Sequence, residues 1–175
     1  PVFEVDLPEN TAYKRAKLQE LYRGVPAHVV LVPLDFEGQD LASGLASQGY
    51  RAEYKSFFIW EAVTQYLSQA GVQKTLSFLA QAKTGSRLVF TYVRKDFIDG
   101  TARYGLDALY EVYRVKRPLW RFGLEPKQVA AFLEQYAWKE LEQAGSQEYT
   151  LRYLKPAGRA VPVTEIERAV YAEKL

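Results

Sequence analysis

The chain is 175 residues long, 48% hydrophobic and 25% charged, with 23 Lys and Arg against 21 Asp and Glu. That length can bury one substantial core as a single domain, 1–175, and so small a net charge excludes a nucleic-acid surface built on charge alone. Cysteine is absent and His28 is the single histidine, which excludes disulfides, a cysteine nucleophile, thiolate metal sites and multi-histidine zinc sites.

Taken in order, Pro1 to Pro8 read as a buried strand that carries Glu4 and Asp6 on one face toward its carboxyl end. The sequence opens on this strand without a methionine, so the chain reads as a fragment lacking the Gly-rich turn expected before such a strand. Pro8 starts a helix in which Tyr13, Ala16, Leu18, Leu21 and Tyr22 recur at roughly helical spacing, an amphipathic crossover that Gly24 and Pro26 end. A strand from His28 to Pro33 leads to Asp35, and a short helix from Leu41 to Ser47 closes at Gly49. Ser56 to Glu61 is too apolar for an exposed strand and reads as a buried central one. Ser68 caps a helix with Val72, Leu76, Leu79 and Ala80 on one side, and Arg87 to Val93 forms the next strand.

The β-α rhythm predicts an α/β fold with a mostly parallel sheet. Residues 96–120 break the rhythm with Tyr104, Tyr110, Tyr113 and Trp120, and read as an insertion that covers the site. Glu125-Pro126 opens a helix to about Tyr136, Trp138 to Glu142 forms a strand, and Ser146 caps a helix to Leu154. Ile166 to Ala172 is the last strand, and the final two pair as an antiparallel edge. No stretch nears the roughly 18 apolar residues of a membrane-spanning helix, which favours a cytoplasmic chain with no membrane partner.

Three apolar runs each end in an acid: Asp6, Asp35 and Glu61. In open α/β sheets ligands bind at the carboxyl ends of the strands, so the three outline a nucleotide-type site. Asp6 suits a pair of ribose hydroxyls, with a helix cap or a salt bridge to Lys14 or Arg15 as the alternative. Asp35 with Phe36 suits a purine, its carboxylate accepting from an exocyclic amine, unless Asp35 only begins a turn. Glu61 could meet a charged cofactor end or act as a base, or else cap the following turn. Tyr66 is a candidate for the substrate side, and its alternative is core. Arg114, Lys116, Arg117 and Arg121 beside Trp120 read as a solvated face rather than a nucleic-acid platform.

The order of these segments resembles the leucine carboxyl methyltransferase family of S-adenosylmethionine-dependent methyltransferases. The pieces are Val2-Phe3-Glu4-Val5-Asp6-Leu7-Pro8 with Lys14, Val32-Pro33-Leu34-Asp35-Phe36, and Trp60-Glu61-Ala62-Val63-Thr64-Gln65-Tyr66-Leu67. Gly85 to Phe90, Arg121-Phe122-Gly123-Leu124 and Glu165 to Ala172 extend the likeness. The resemblance implies a Rossmann-like class I methyltransferase sheet whose first strand is missing from this sequence. It also implies S-adenosyl-L-methionine as cofactor, with Asp6 on the ribose, Asp35 and the Phe36 backbone on the adenine, and Glu61 near the amino-acid end. The expected reaction is O-methylation of a carboxylate or hydroxyl on a small molecule or peptide terminus; no catalytic side chain is singled out and no metal is implied. The alternative is a non-catalytic, truncated module that works through a partner chain, whether as a homo-oligomer or with a missing N-terminal segment.

Overall fold

The computed structural model describes residues 1–175 as two compact units, Pro1–Ala52 and Glu53–Leu175. The first unit is a β-α-β-α run. Strand β1 (Val2–Asp6) pairs in parallel with β2 (Val29–Pro33), Val2 opposite Val29 and Asp6 opposite Pro33. Between them lies α1 (Pro8–Tyr22), entered through Pro8, whose missing N–H and fixed φ suit the first helical turn. Helix α2 (Leu41–Ser47) begins at Asp40, whose carboxylate accepts the Ser43 N–H at 2.8 Å. Leu31, Val32, Leu34, Leu41 and Leu45 form the core of this unit, and Gly44 lies so close to Leu34 that a Cβ there would stand 2.5 Å from Leu34 Cδ1.

Helix α1 departs from the amphipathic reading: Thr11 is its one buried residue, and Tyr13, Leu21 and Tyr22 are each about two-thirds exposed. At about 100° per residue, Tyr13, Ala16, Leu18, Leu21 and Tyr22 spread around most of the circumference. Lys14, Arg15, Lys17 and Glu20 interleave with them, so no continuous apolar stripe forms.

The second unit holds a four-stranded sheet in the order β3-β4-β6-β5. Strand β3 (Phe57–Trp60) runs parallel to β4 (Arg87–Val93), while β6 (Glu167–Lys174) runs antiparallel to both β4 and β5 (Trp138–Ala144). The antiparallel edge is therefore present, with β5 outermost. Helix α3 (Gln69–Leu79) starts at Ser68, whose hydroxyl accepts the Gly71 N–H at 3.0 Å, and buries Val72, Leu76 and Leu79. Trp138 is wholly buried, with Phe58 edge-on at 6.2 Å.

Strand β3 is an edge strand, not the central one its apolar composition predicts. Phe58 and Trp60 face the core side, while Phe57 and Ile59 on the opposite pleat are 59% and 70% exposed, so one face of β3 is covered and the other is not.

After β4 come α4 (Lys95–Ile98), α5 (Asp107–Tyr110) and a π-helical turn, Glu111–Lys116. Phe97, Ile98 and Trp120 form a cluster with Val93 and Ile166, against which Leu106, Leu109, Tyr110 and Tyr113 pack. Tyr113 stacks on Trp120 at 4.7 Å. The aromatics of 96–120 thus make a small core of their own. Arg114 donates to the Ile98 and Trp120 carbonyls and Arg121 to the Tyr66 carbonyl, so these cations fasten backbone. The chain continues through α6 (Val129–Glu134) to β5, and then α7 (Ser146–Tyr149) runs into a second π-helical turn, Thr150–Leu154. Ser146 is the first residue of α7 rather than its cap: Gly145 takes the cap position, Glu148 accepts the Gly145 N–H at 2.7 Å, and the Ser146 hydroxyl is bound to Glu165.

Candidate functional site

In the first unit, the carboxyl ends of β1 and β2 lie side by side, joined by the bond from Leu34 N–H to the Asp6 carbonyl at 2.8 Å. Asp6 Oδ1 accepts the Leu7 N–H at 2.7 Å and the Asn10 side-chain amide at 2.8 Å. The helix-start role is therefore real, and it consumes one carboxylate oxygen and leaves Oδ2 without a partner. The neighbouring acid Glu4, not Asp6, pairs with Lys14.

Asp35 is also divided between two roles. Its Oδ1 accepts the Glu37 N–H at 2.9 Å in an Asx turn, and its backbone exchanges hydrogen bonds with Gln39, its N–H donating to Gln39 Oε1 at 2.8 Å and its carbonyl accepting the Gln39 N–H at 2.9 Å. The other carboxylate oxygen and the adjacent Phe36 N–H have no protein partner. One exposed turn thus presents an acceptor and a donor side by side.

In the second unit, Glu61 follows the last residue of β3 and is exposed, free of ion pairs and hydrogen bonds. The turn after it is pinned to β4. Ala62 sits at φ 54°, in the left-handed region, where its N–H donates to Thr91 Oγ1 at 2.8 Å, and Thr64 Oγ1 donates to the Thr91 carbonyl at 2.8 Å. A non-glycine residue held there costs roughly 1 kcal/mol, which the Thr91 bonds offset.

Glu61 and Thr91 line a cavity of about 370 Å³ together with Tyr149, Tyr153, Glu167 and Arg168. Burial pushes the Tyr149 hydroxyl up from its ordinary value, and Glu167, Tyr153 and Glu61 reinforce the shift by opposing a negative charge there. Tyr66 lies elsewhere: it meets Trp120 edge-on at 6.3 Å and does not line this cavity. No residue of 96–120 lines it; beside Glu61 and Thr91 its wall comes from 149–168.

Behind the cavity runs a charged network. Arg94 bonds Asp96 at 2.8 Å and Glu165 at 3.2 Å; Arg168 also bonds Glu165, and Tyr104 donates to Asp96 at 2.6 Å. Burial and its bond to Asp96 push the Tyr104 hydroxyl up to about 12. Burial alone would raise Glu165 and Asp96, yet their donors outweigh it and hold both below the usual carboxylate range: Ser146 and Arg168 for Glu165, Arg94 and Tyr104 for Asp96.

Sequence reasoning missed Thr91, Tyr149, Glu167 and Arg168. Thr91 carried a signal, as the polar residue opposite the end of the neighbouring parallel strand; the other three are brought to Glu61 only by the folding of β6 and the π-helical turn.

Parallel strands ending in carboxylates, joined by helices and followed by an antiparallel pair, define a Rossmann-like α/β fold of the class I methyltransferase type. Solved structures share it over nearly the whole chain. A DUF574-family protein from Streptomyces avermitilis superposes with a TM-score of 0.65 at 14% identity, covering 99% of this chain and 65% of that one. Magnesium protoporphyrin IX methyltransferase from Synechocystis PCC 6803, with SAH bound, gives 0.58 at 13% identity, over 99% of this chain and 64% of that one. Residues 1–80 match the family model for leucine carboxyl methyltransferase, the family that the sequence motifs resemble. A Bacillus subtilis (strain 168) protein named "Putative S-adenosyl-L-methionine-dependent methyltransferase YktD" is 32% identical over 92 residues, which is 52% of this chain and 30% of that protein. A similarly named Frankia alni protein is also 32% identical over 92 residues, 32% of its length, so the matches span under a third of each relative.

Proposed function

We propose that the chain is part of an S-adenosylmethionine-dependent methyltransferase that methylates an oxygen, the carboxylate or hydroxyl of a small molecule or peptide terminus. One observation carries this reading. The stretch matching the family model contains Asp6, Asp35, Phe36 and Glu61, each at the carboxyl end of a parallel strand, and each keeps hydrogen-bonding capacity that the protein does not use. Those unused atoms fit the cofactor's chemistry. The free oxygen of Asp6 accepts from ribose hydroxyls, and Asp35 accepts from the adenine amine while the Phe36 N–H donates to the ring. Glu61 pairs with the ammonium of the amino-acid end.

Bound S-adenosylmethionine supplies a methyl group on an electrophilic sulfonium. The residues named above bind and orient, and direct displacement asks mainly for alignment and exclusion of water. A carboxylate acceptor is already ionised at neutral pH, so this chemistry does not call on His28, which lies exposed in the turn before β2.

Calorimetric titration of S-adenosylmethionine and S-adenosylhomocysteine tests the reading. Binding is expected, and Asp6→Ala or Asp35→Ala each weakens it about 10- to 100-fold, the equivalent of one or two hydrogen bonds to a carboxylate. No binding to a folded chain, or unchanged affinity in both variants, refutes it.

A further inference from the structure

The cavity beside Glu61 has a chemistry that the cofactor positions do not account for. Its cation, Arg168, is already paired: it bonds Glu165 and stands 4.0 Å from Glu148. The side chains of its two other charged residues, Glu61 and Glu167, form no ion pair or hydrogen bond; with Glu61 assigned to the cofactor's ammonium, Glu167 remains as negative charge facing the space. Tyr149 and Tyr153 add two rings with centroids 6.1 Å apart and planes at 35°. The rings are carried by the junction of α7 with its π-helical turn, where the Lys155 N–H reaches back five residues to the Thr150 carbonyl at 2.9 Å. Such turns recur at functional sites. Leu154 and Val163 complete an apolar wall, and neither Lys155 nor Arg159 lines the space.

Carboxylates beside aromatic faces recognise organic cations. The ring faces and the carboxylates both attract positive charge, while an anionic ligand would meet the uncompensated Glu167 carboxylate even with Glu61 engaged by the cofactor. At about 370 Å³ the space is that of a small-molecule site in its own right, larger than an ammonium group needs. We propose that this cavity holds an ammonium-bearing end of the methyl acceptor, so that the substrate is a small amine or amino-acid-like molecule. The assignment to the acceptor rests on the methyltransferase reading; the cation preference of the cavity does not.

The experiment follows the Tyr149 and Tyr153 ring resonances by NMR during titration with benzylammonium and with its neutral counterpart, benzyl alcohol. Benzylammonium is expected to bind at least about fivefold more tightly, and Glu167→Gln to lower its affinity about three- to tenfold while leaving benzyl alcohol unchanged. Glu61→Gln supplies the same test should Glu167→Gln fail to fold. Equal affinity for the two probes, or indifference to both substitutions, overturns the site. The titration is then repeated with saturating S-adenosylmethionine. Continued binding of benzylammonium supports the acceptor assignment, and competitive displacement overturns it by giving the cavity to the cofactor's own cation. If S-adenosylmethionine does not bind, the methyltransferase reading and the acceptor role fail together, while the two probes still decide the cation site.

Discussion

Glu165 is the hub of the second unit's charged network, and Glu165→Gln should be costly in a pH-dependent way. Its Oε1 accepts from Arg94 and Arg168, and its Oε2 from the Ser146 N–H at 3.0 Å and hydroxyl at 2.7 Å. A glutamine keeps one acceptor oxygen and turns an amide donor toward two of these donors. Removing one partner from a fully buried pair costs about 3–5 kcal/mol, and an exposed pair is worth about 0–1 kcal/mol. With its side chain 25% exposed, Glu165 lies between these limits, which gives a loss of about 2 kcal/mol at neutral pH. All three tryptophans, Trp60, Trp120 and Trp138, belong to Glu53–Leu175, so urea unfolding followed by their fluorescence reports on this unit. The midpoint should fall by about 1 M. Because the folded carboxyl is held below its ordinary value of 4.5, its contribution is complete above that pH and fades as pH drops through the folded value. The gap between wild type and variant should therefore narrow from about pH 4.5 downward. A loss below about 0.5 kcal/mol at pH 7, or a gap that stays constant to about pH 3, refutes the reasoning.

Two further substitutions test how the frame is held. Ser68→Ala removes the cap of α3, and thermal unfolding should show a loss of about 1 kcal/mol that Ser68→Asp restores. Gly123→Ala would place a Cβ 2.9 Å from Lys95 Cα and 3.0 Å from the Val93 carbonyl oxygen, backbone atoms that cannot turn aside. A destabilisation of about 1–3 kcal/mol in urea is expected, and a neutral result would mean that the β4–α4 junction yields.

The sequence was most readable where local chemistry and burial agree. Ser68 followed by Val72, Leu76 and Leu79 states both the cap and the buried face of α3, and Arg87 to Val93 forms a strand over the predicted residues because its alternate side chains, Leu88, Phe90 and Tyr92, are all buried. It was least readable where an apolar residue's surroundings depend on pairing. Phe57 and Ile59 look like the contents of a central strand, yet β3 has one neighbour and its Phe57–Ile59 face is exposed, and no local pattern reports how many neighbours a strand has or which of its faces is covered. The aromatics of 96–120, read as an insertion over the site, pack with Val93, Phe97 and Ile166 into a small core that the sequence did not announce.

The candidate site divides along the same line. Asp6, Asp35 and Glu61 were legible because a carboxylate just past an apolar strand is a local signal, and the structure leaves each of them partly or wholly unpaired. Tyr149 and Glu167 were not, since their meeting with Glu61 depends on the register of β6 against β4, which sets Glu167 opposite Val93, and on a π-helical turn that has no apolar period of its own. Positions at strand ends are fixed by the sheet, whereas most of the cavity wall beside Glu61 and Thr91 is assembled from the last third of the chain. On the proposed reading the acceptor is recognised by residues 149–168 rather than by the strand-end acids, and substitutions there should change which molecules bind while leaving affinity for S-adenosylmethionine in place.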